Sequence, residues 1–173
     1  MLARPRLLGL LALPLALAAC GGGAAASSAS ADGPPEKAAM VCGDEIVGEV
    51  GSILGLDDAP HTSSTWADGV YTCTYDLSMG PLVLSVDVAD SDQQANDYFD
   101  SRRAQAPTAQ DVAGLGERAF GTGDGEVTVV KDDMTLGVDA TGLPEVFGDN
   151  GQKRSAFAFE VAADVMGCWT EHE

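Results

Sequence analysis

The chain has 173 residues, enough for one domain of ordinary size. Its 45% hydrophobic and 21% charged content, with 21 Gly and 8 Pro, is that of a loop-rich globular protein and not of a wholly disordered one. Acidic residues outnumber basic ones 27 to 9, a formal net charge of −18. Such a surface repels phosphate backbones and argues against nucleic acid as a partner, and two histidines leave little material for His-based catalysis or metal binding.

Arg4 and Arg6 make a positive N-terminal region, and Leu7 to Leu17 an apolar stretch too short to span a bilayer. This layout predicts a signal peptide over residues 1–19. The stretch ends Leu17-Ala18-Ala19-Cys20, which resembles the bacterial lipobox. The resemblance implies diacylglyceryl transfer to the Cys20 sulfur and cleavage before it. An ordinary secretory signal with a chance cysteine is the plainer alternative, but the cysteine falls directly after the apolar stretch. Each buried acyl CH₂ contributes about 0.8 kcal/mol, so a multiply acylated cysteine anchors stably. Loss of Arg4 and Arg6 takes the mature charge from −18 to −20.

From Cys20 to Lys37 the chain is Gly, Ala, Ser and Pro of low complexity. Such a segment buries too little apolar area to offset its ordering entropy and reads as a tether. Its Ser27, Ser28 and Ser30 could carry sugar, though a plain linker explains them. The domain is expected over residues 38–173. After export, Cys42, Cys73 and Cys168 meet an oxidising environment. Three thiols allow one bridge, one leftover and three pairings. Cys42–Cys73 would join the first helix to the first strand, and Cys42–Cys168 the two ends of the domain. Either would stabilise by roughly 2–4 kcal/mol.

Along the domain, Ile46, Val47, Val50, Ile53 and Leu54 share one face of a helix over residues 43–54, with Gly55 as its C-cap. Asp44, Glu45 and Glu49 crowd its first turns, where the helix dipole favours them. Residues 57–69, with Pro60, His61, Thr62, Ser63, Ser64, Thr65 and Trp66, read as a loop. Tyr71, Cys73, Tyr75 and Leu77 alternate with polar residues, as do Leu82, Leu84, Val86 and Val88 beyond a turn at Met79-Gly80-Pro81. This predicts a hairpin with one buried face. Asp90, Ser91 and Asp92 cap a helix carrying Ala95, Tyr98, Phe99 and Arg102, which Pro107 ends. A strand follows Gly114. A second hairpin, 127–131 and 134–140, turns at Asp132-Asp133 and faces Met134, Leu136, Val138 and Ala140 inward. Ala158, Val161, Ala162, Val165, Met166 and Trp169 mark a last amphipathic helix over 152–169. The order α-β-β-α-β-β-(β)-α predicts an α+β fold, a single antiparallel sheet with helices packed on one face. Its two halves are similar in plan, without a residue-level repeat.

These features together resemble a family. A lipobox and an Ala/Gly/Ser tether precede Cys42, a helix ending Leu54-Gly55, the Cys73-Thr74-Tyr75 strand, and Gly114-Leu115-Gly116-Glu117-Arg118-Ala119 ahead of a hairpin and a terminal helix. The chain resembles the small uncharacterised surface lipoproteins of actinobacteria, and is similar to extracellular sensor domains of some mycobacterial Ser/Thr kinases. The resemblance covers most of residues 40–170. It implies a bridge between the first helix and the first strand, Cys42–Cys73, while Cys168-Trp169 departs from the pattern. It carries over no catalytic residue.

Other constellations have simpler readings. Gly114-x-Gly116-x-x-Ala119 matches a dinucleotide fingerprint on paper, but turn-rich Gly121-Thr122-Gly123-Asp124-Gly125 soon follows it, where the motif needs a helix. Cys168 and His172 share a helical face, and His61 and Cys42 could complete a zinc set, yet the spacing does not ask for one. Asp87, Asp90 and Asp92, the pair Asp132-Asp133, and Asp149-Asn150-Gly151 offer calcium ligands, but read more simply as helix starts and turns. The mature domain lacks Gly-x-Ser-x-Gly and Ser-x-x-Lys. Trp66 beside hydroxyls could stack on sugar or peptide, but fits a core edge better.

The sequence therefore predicts a lipid-anchored, extracytoplasmic, non-catalytic binding or sensing domain on the cell membrane. It predicts no cofactor and no metal. Its expected partners are the membrane, through the lipid on Cys20, and a basic envelope protein or small envelope ligand. The alternatives are an envelope hydrolase working through carboxylates, or a structural partner in a membrane complex, marked by an exposed apolar patch.

Overall fold

The computed structural model describes residues 33–148 and 150–172. The expected signal peptide over 1–19, Cys20 with its expected lipid, most of the expected tether, and Asp149 of the Asp149-Asn150-Gly151 candidate lie outside the described residues.

Pro35 starts a short helix α1, Glu36–Ala39, inside the stretch expected to be tether. Proline suits a helix start because its missing N–H would have no partner there. A 3-10 turn, Met40–Cys42, leads through extended Gly43 into α2, Asp44–Leu54. Gly55 ends α2 in the left-handed conformation at φ 63°, and its N–H donates to the Gly51 and Ser52 carbonyls.

Three strands follow as a meander: β1 His61–Ala67, β2 Val70–Leu77 and β3 Gly80–Val88. Helix α3, Asp92–Gln105, is capped by the Ser91 hydroxyl, which accepts from the Gln94 N–H at 3.3 Å. A second meander comprises β4 Gln110–Val112, β5 Arg118–Gly121, β6 Glu126–Lys131 and β7 Met134–Asp139. A two-stranded ribbon, β8 Val146–Phe147 and β9 Gln152–Lys153, precedes the long helix α4, Arg154–Glu171. The main sheet runs β1-β2-β3-β7-β6-β5-β4, antiparallel throughout. The expected α+β fold with one antiparallel sheet is the fold observed.

One face of the sheet carries the main core. Tyr71, Cys73, Tyr75, Leu82, Leu84, Val86, Val129, Leu136 and Val138 point into it. They meet Ile46 and Val50 of α2 and Phe157, Val161, Val165 and Trp169 of α4. The opposite face is covered only in part. There Ala95 and Phe99 of α3 pack with Ala109, Phe120 and Val130, with Phe99 and Phe120 edge to face at 5.1 Å. The Thr135 hydroxyl donates to the Ala95 carbonyl at 3.3 Å.

Beyond the early helix α1 and the start of α4 at Arg154 instead of Gln152, two more expectations change in detail. The helices do not all share one face: α2 and α4 lie on one side and α3 on the other. Strand β6 shows the reason, since both its Val129 and its Val130 are fully buried, one on each side. Residues 61–67 form a strand where a loop was expected. It is an edge strand, exposed except at Trp66, so no alternation marks it. The strand carrying Cys73 is therefore the second.

Candidate functional site

Cys42 and Cys73 form a disulfide, with Cα atoms 5.5 Å apart. It pins the 3-10 turn to β2. Tyr75, two residues along β2, adds a second tie, its buried hydroxyl donating to the Val41 carbonyl at 2.5 Å. Burial, and then neighbouring Tyr71, push the Tyr75 hydroxyl pKa far up, so it remains a donor. The alternative Cys42–Cys168 bridge is not formed. Cys168 is a free, buried thiol of α4.

The pinned segment walls an open groove of about 440 Å³. Glu36 and Lys37 of α1, Met40, and Asp44 and Glu45 of α2 line it, with His172 closing it from the end of α4. Ile46, 1% exposed, contributes an apolar floor beside Met40. Gly43 fits because a Cβ there would lie 3.2 Å from the Met40 carbonyl oxygen. Three carboxylates face one lysine and one imidazole. Lys37 Nζ is 3.7 Å from Asp132 across the domain, and His172 Nε2 is 4.0 Å from Glu45. Such an acidic lip over a methionine floor suits a cationic or amine-bearing group with an apolar neighbour, and repels anions.

Cys168 sits beside this groove without being reactive. Burial pushes its thiol up to about 11, helped by the Glu45 charge, a hydrogen bond to Glu45, and the charges of Glu171 and Asp164. At neutral pH it is a thiol, and the thiolate is the nucleophile.

The remaining sequence candidates fall apart in space. Gly114 and Gly116 adopt φ of 79° and 56° in a turn that leads into strand β5. No helix follows, so the dinucleotide geometry is missing. Leu115 is buried, and the Glu117 N–H donates to the Val130 carbonyl at 2.9 Å. A Cβ on Gly116 would collide with Val129 Cγ1 and lie 2.8 Å from the Val130 carbonyl oxygen. The motif is a close-contact turn. Cys42 is consumed by the disulfide and His61 sits on β1, so the imagined zinc set does not assemble. Among the described residues, no three His, Cys, Asp or Glu side chains converge to hold a metal ion. The Asp90 N–H donates to Gln94 Oε1 at 2.9 Å, and Asp132 turns the β6–β7 hairpin at φ 55°.

Three acids have shifted carboxyl groups. Burial raises Asp87 on β3, and burial with the charges of Glu49 and Glu160 raises Asp164 on α4. A hydrogen bond from Thr122 lowers Asp124 in the β5–β6 turn. Asp87 and Asp164 lie on opposite faces of the sheet, and none of the three lines the groove. Trp66 is on β1, half-buried beside its cross-strand partner Tyr71. Among the described residues, the exposed large apolar side chains are Leu56 in the loop after α2, Val146 on β8 and Phe159 on α4, and no two share an element.

Sequence reasoning missed Glu36, Lys37 and Met40 as groove residues because it placed the first two in the tether. The available signal was Pro35 followed by Glu36, an acid in a first helical turn.

No protein-family model, no curated protein and no solved structure matches this chain.

Proposed function

We propose that the protein is a lipid-anchored lipoprotein of the outer face of the cytoplasmic membrane, of the actinobacterial surface-lipoprotein kind. Its domain is a non-catalytic module that binds or senses a cationic envelope ligand. The anchor reading rests on the Leu17-Ala18-Ala19-Cys20 motif after its apolar stretch, followed by the Gly/Ala/Ser tether. The binding reading rests on the groove, where Glu36, Asp44 and Glu45 surround the apolar floor of Met40 and Ile46. That lining holds a positively charged group by charge and its carbon skeleton by apolar contact. The two shifted-up carboxyls stand on opposite faces of the sheet, so the arrangement favours binding over carboxylate hydrolysis.

Two experiments test this reading. The full chain is expressed in an actinobacterial host fed an alkyne-tagged fatty acid. The wild type is expected to take the label and fractionate with membrane, and Cys20→Ala to lose the label and reach the medium. A labelled Cys20→Ala protein refutes the anchor. For the groove, residues 21–173 are titrated with spermidine and, as a neutral control, with glucose, and followed by NMR. Spermidine is expected to shift the amides of residues 36–46 and 172, with about tenfold weaker binding in the Asp44→Asn/Glu45→Gln variant. Equal spermidine affinity in that variant refutes the groove.

A further inference from the structure

The two edges of the main sheet are unlike. Strand β4 is three residues long, and its Asp111 carboxylate is paired with Arg103 at 3.3 Å. Strand β1 is seven residues long, His61-Thr62-Ser63-Ser64-Thr65-Trp66-Ala67, exposed at every position but Trp66. It carries no Lys, Arg, Asp, Glu or Pro, and it forms an unbroken ladder with β2. Charge, proline, shortness and bulges are the usual means of blunting an edge, and β1 uses none of them.

The hairpin geometry tells which backbone groups are free. Ala67 pairs with Val70 across Asp68 at φ 52° and Gly69 at φ 79°, a two-residue turn with both central residues left-handed. Ala67 and Val70 therefore exchange both hydrogen bonds, and alternation directs the N–H and C=O of Thr65, Ser63 and His61 toward β2 as well. The same groups of Thr62, Ser64 and Trp66 point outward, and they have no backbone partner among the described residues.

The charge around this edge has one sign. Between residues 38 and 101 the chain holds twelve acidic residues and no Lys or Arg. Asp57 and Asp58 precede β1, Asp76 faces its His61 end from β2, and Asp68 follows Ala67, all four exposed. Antiparallel pairing of β1 with the β1 of a second copy would bring Asp68 of each chain against Asp57, Asp58 and Asp76 of the other. The charge disfavours that arrangement and favours an added strand with basic residues at both ends.

We infer that β1 accepts an extended, basic-flanked segment of another envelope protein as an eighth strand, held by the outward backbone groups of Thr62, Ser64 and Trp66. The proposal rests on the reading of the domain as a binding module, but uses a surface separate from the groove. The added strand gains main-chain hydrogen bonds, and the acids at each end select its lysines or arginines.

The test follows hydrogen exchange by NMR in residues 21–173 with the peptide KTVTVTVTK and its acidic counterpart ETVTVTVTE. The basic peptide is expected to slow exchange at the Thr62, Ser64 and Trp66 amides at least tenfold, leaving Ser63, Thr65 and Ala67 unchanged. Raising salt should weaken its binding at least tenfold, and the acidic peptide should not bind. Ser64→Pro removes an outward N–H while sparing the ladder to β2, and should weaken binding at least tenfold. The exchange pattern of the unaltered chain decides the point even where the proline variant fails to fold. Equal binding by a folded Ser64→Pro, or no new protection at the three amides, overturns the proposal. Peptide shifts confined to residues 36–46 and 172 overturn it while leaving the groove standing. A dimer in sedimentation that Ser64→Pro dissociates also overturns it, by making a second copy the occupant.

Discussion

Removing the Cys42–Cys73 bridge should cost this domain a large share of its stability. The two cysteines are 31 residues apart, and the loop they close contains α2 and β1. The chain-entropy relation gives about 3.5–4 kcal/mol for a loop of that length. For a domain of this size each kcal/mol is worth about 3–4 °C, so the thermal midpoint should fall by about 10–15 °C. The native fold should nonetheless persist at 25 °C, because the Tyr75 hydroxyl still holds the Val41 carbonyl and Ile46 and Val50 stay in the main core. The assay is urea unfolding of the oxidised chain, the reduced chain and Cys42→Ala/Cys73→Ala, followed by circular dichroism. The reduced chain is the cleaner comparison, since each alanine also removes the packing of a buried sulfur. A loss below about 1 kcal/mol would refute the reasoning, because the unfolded chain would then gain almost no freedom from opening the loop.

Further outcomes follow from other contacts. Native Cys168 should resist iodoacetamide at pH 8 and react once urea unfolds the chain. Its raised pKa stabilises the fold fully below the ordinary thiol value of 9.0, and that contribution is lost as pH rises toward about 11. The fall in urea midpoint across this window should therefore be shallower in Cys168→Ala, and an identical fall would contradict the assignment. Gly116→Ala should lose about 2–4 kcal/mol, from left-handed strain plus its collision with Val129. Gly114→Ala, at φ 79° but facing open space, should lose only about 1–2 kcal/mol. Equal losses in a melt would show that crowding at residue 116 is absent. Asp164→Asn should raise the midpoint at pH 7 by about 1–2 °C, since its carboxylate is desolvated and repelled by Glu49 and Glu160. The gain should vanish as pH falls through the raised carboxyl value and Asp164 itself becomes neutral. A drop at pH 7 would mean the carboxylate is favourably partnered.

Much of this fold was legible because local chemistry and global burial agree. Six apolar positions at helical spacing placed α4, and all six are buried. The alternation of Met134, Leu136, Val138 and Ala140 placed β7 and its inward face. Ser91 announced α3 through a capping bond that depends only on residues three apart. These signals work because the side chain that forms the element also faces the core. Strand β1 had no such signal. Apart from half-buried Trp66, which packs on the main core, both its faces meet water, so it is held chiefly by the backbone of β2 and by the Asp68-Gly69 turn, and that dipeptide was its one local sign. The groove was equally hidden, since Glu36 and Asp44 become neighbours only when the disulfide and Tyr75 fold the segment between them onto β2.

Local pattern was enough to reveal the Leu17-Ala18-Ala19-Cys20 motif, the acidic charge, the α+β class and most of the residues that form the core. All of these depend on composition or on periodicity within a few turns of chain. Long-range packing settled that β3 pairs with β7, that α3 crosses to the far face, that Cys42 meets Cys73 and not Cys168, and that β1 lies open at the edge. Each is a choice between partners distant in the chain. No local pattern selects among such partners, because what separates them is how completely all the apolar faces can be buried at once.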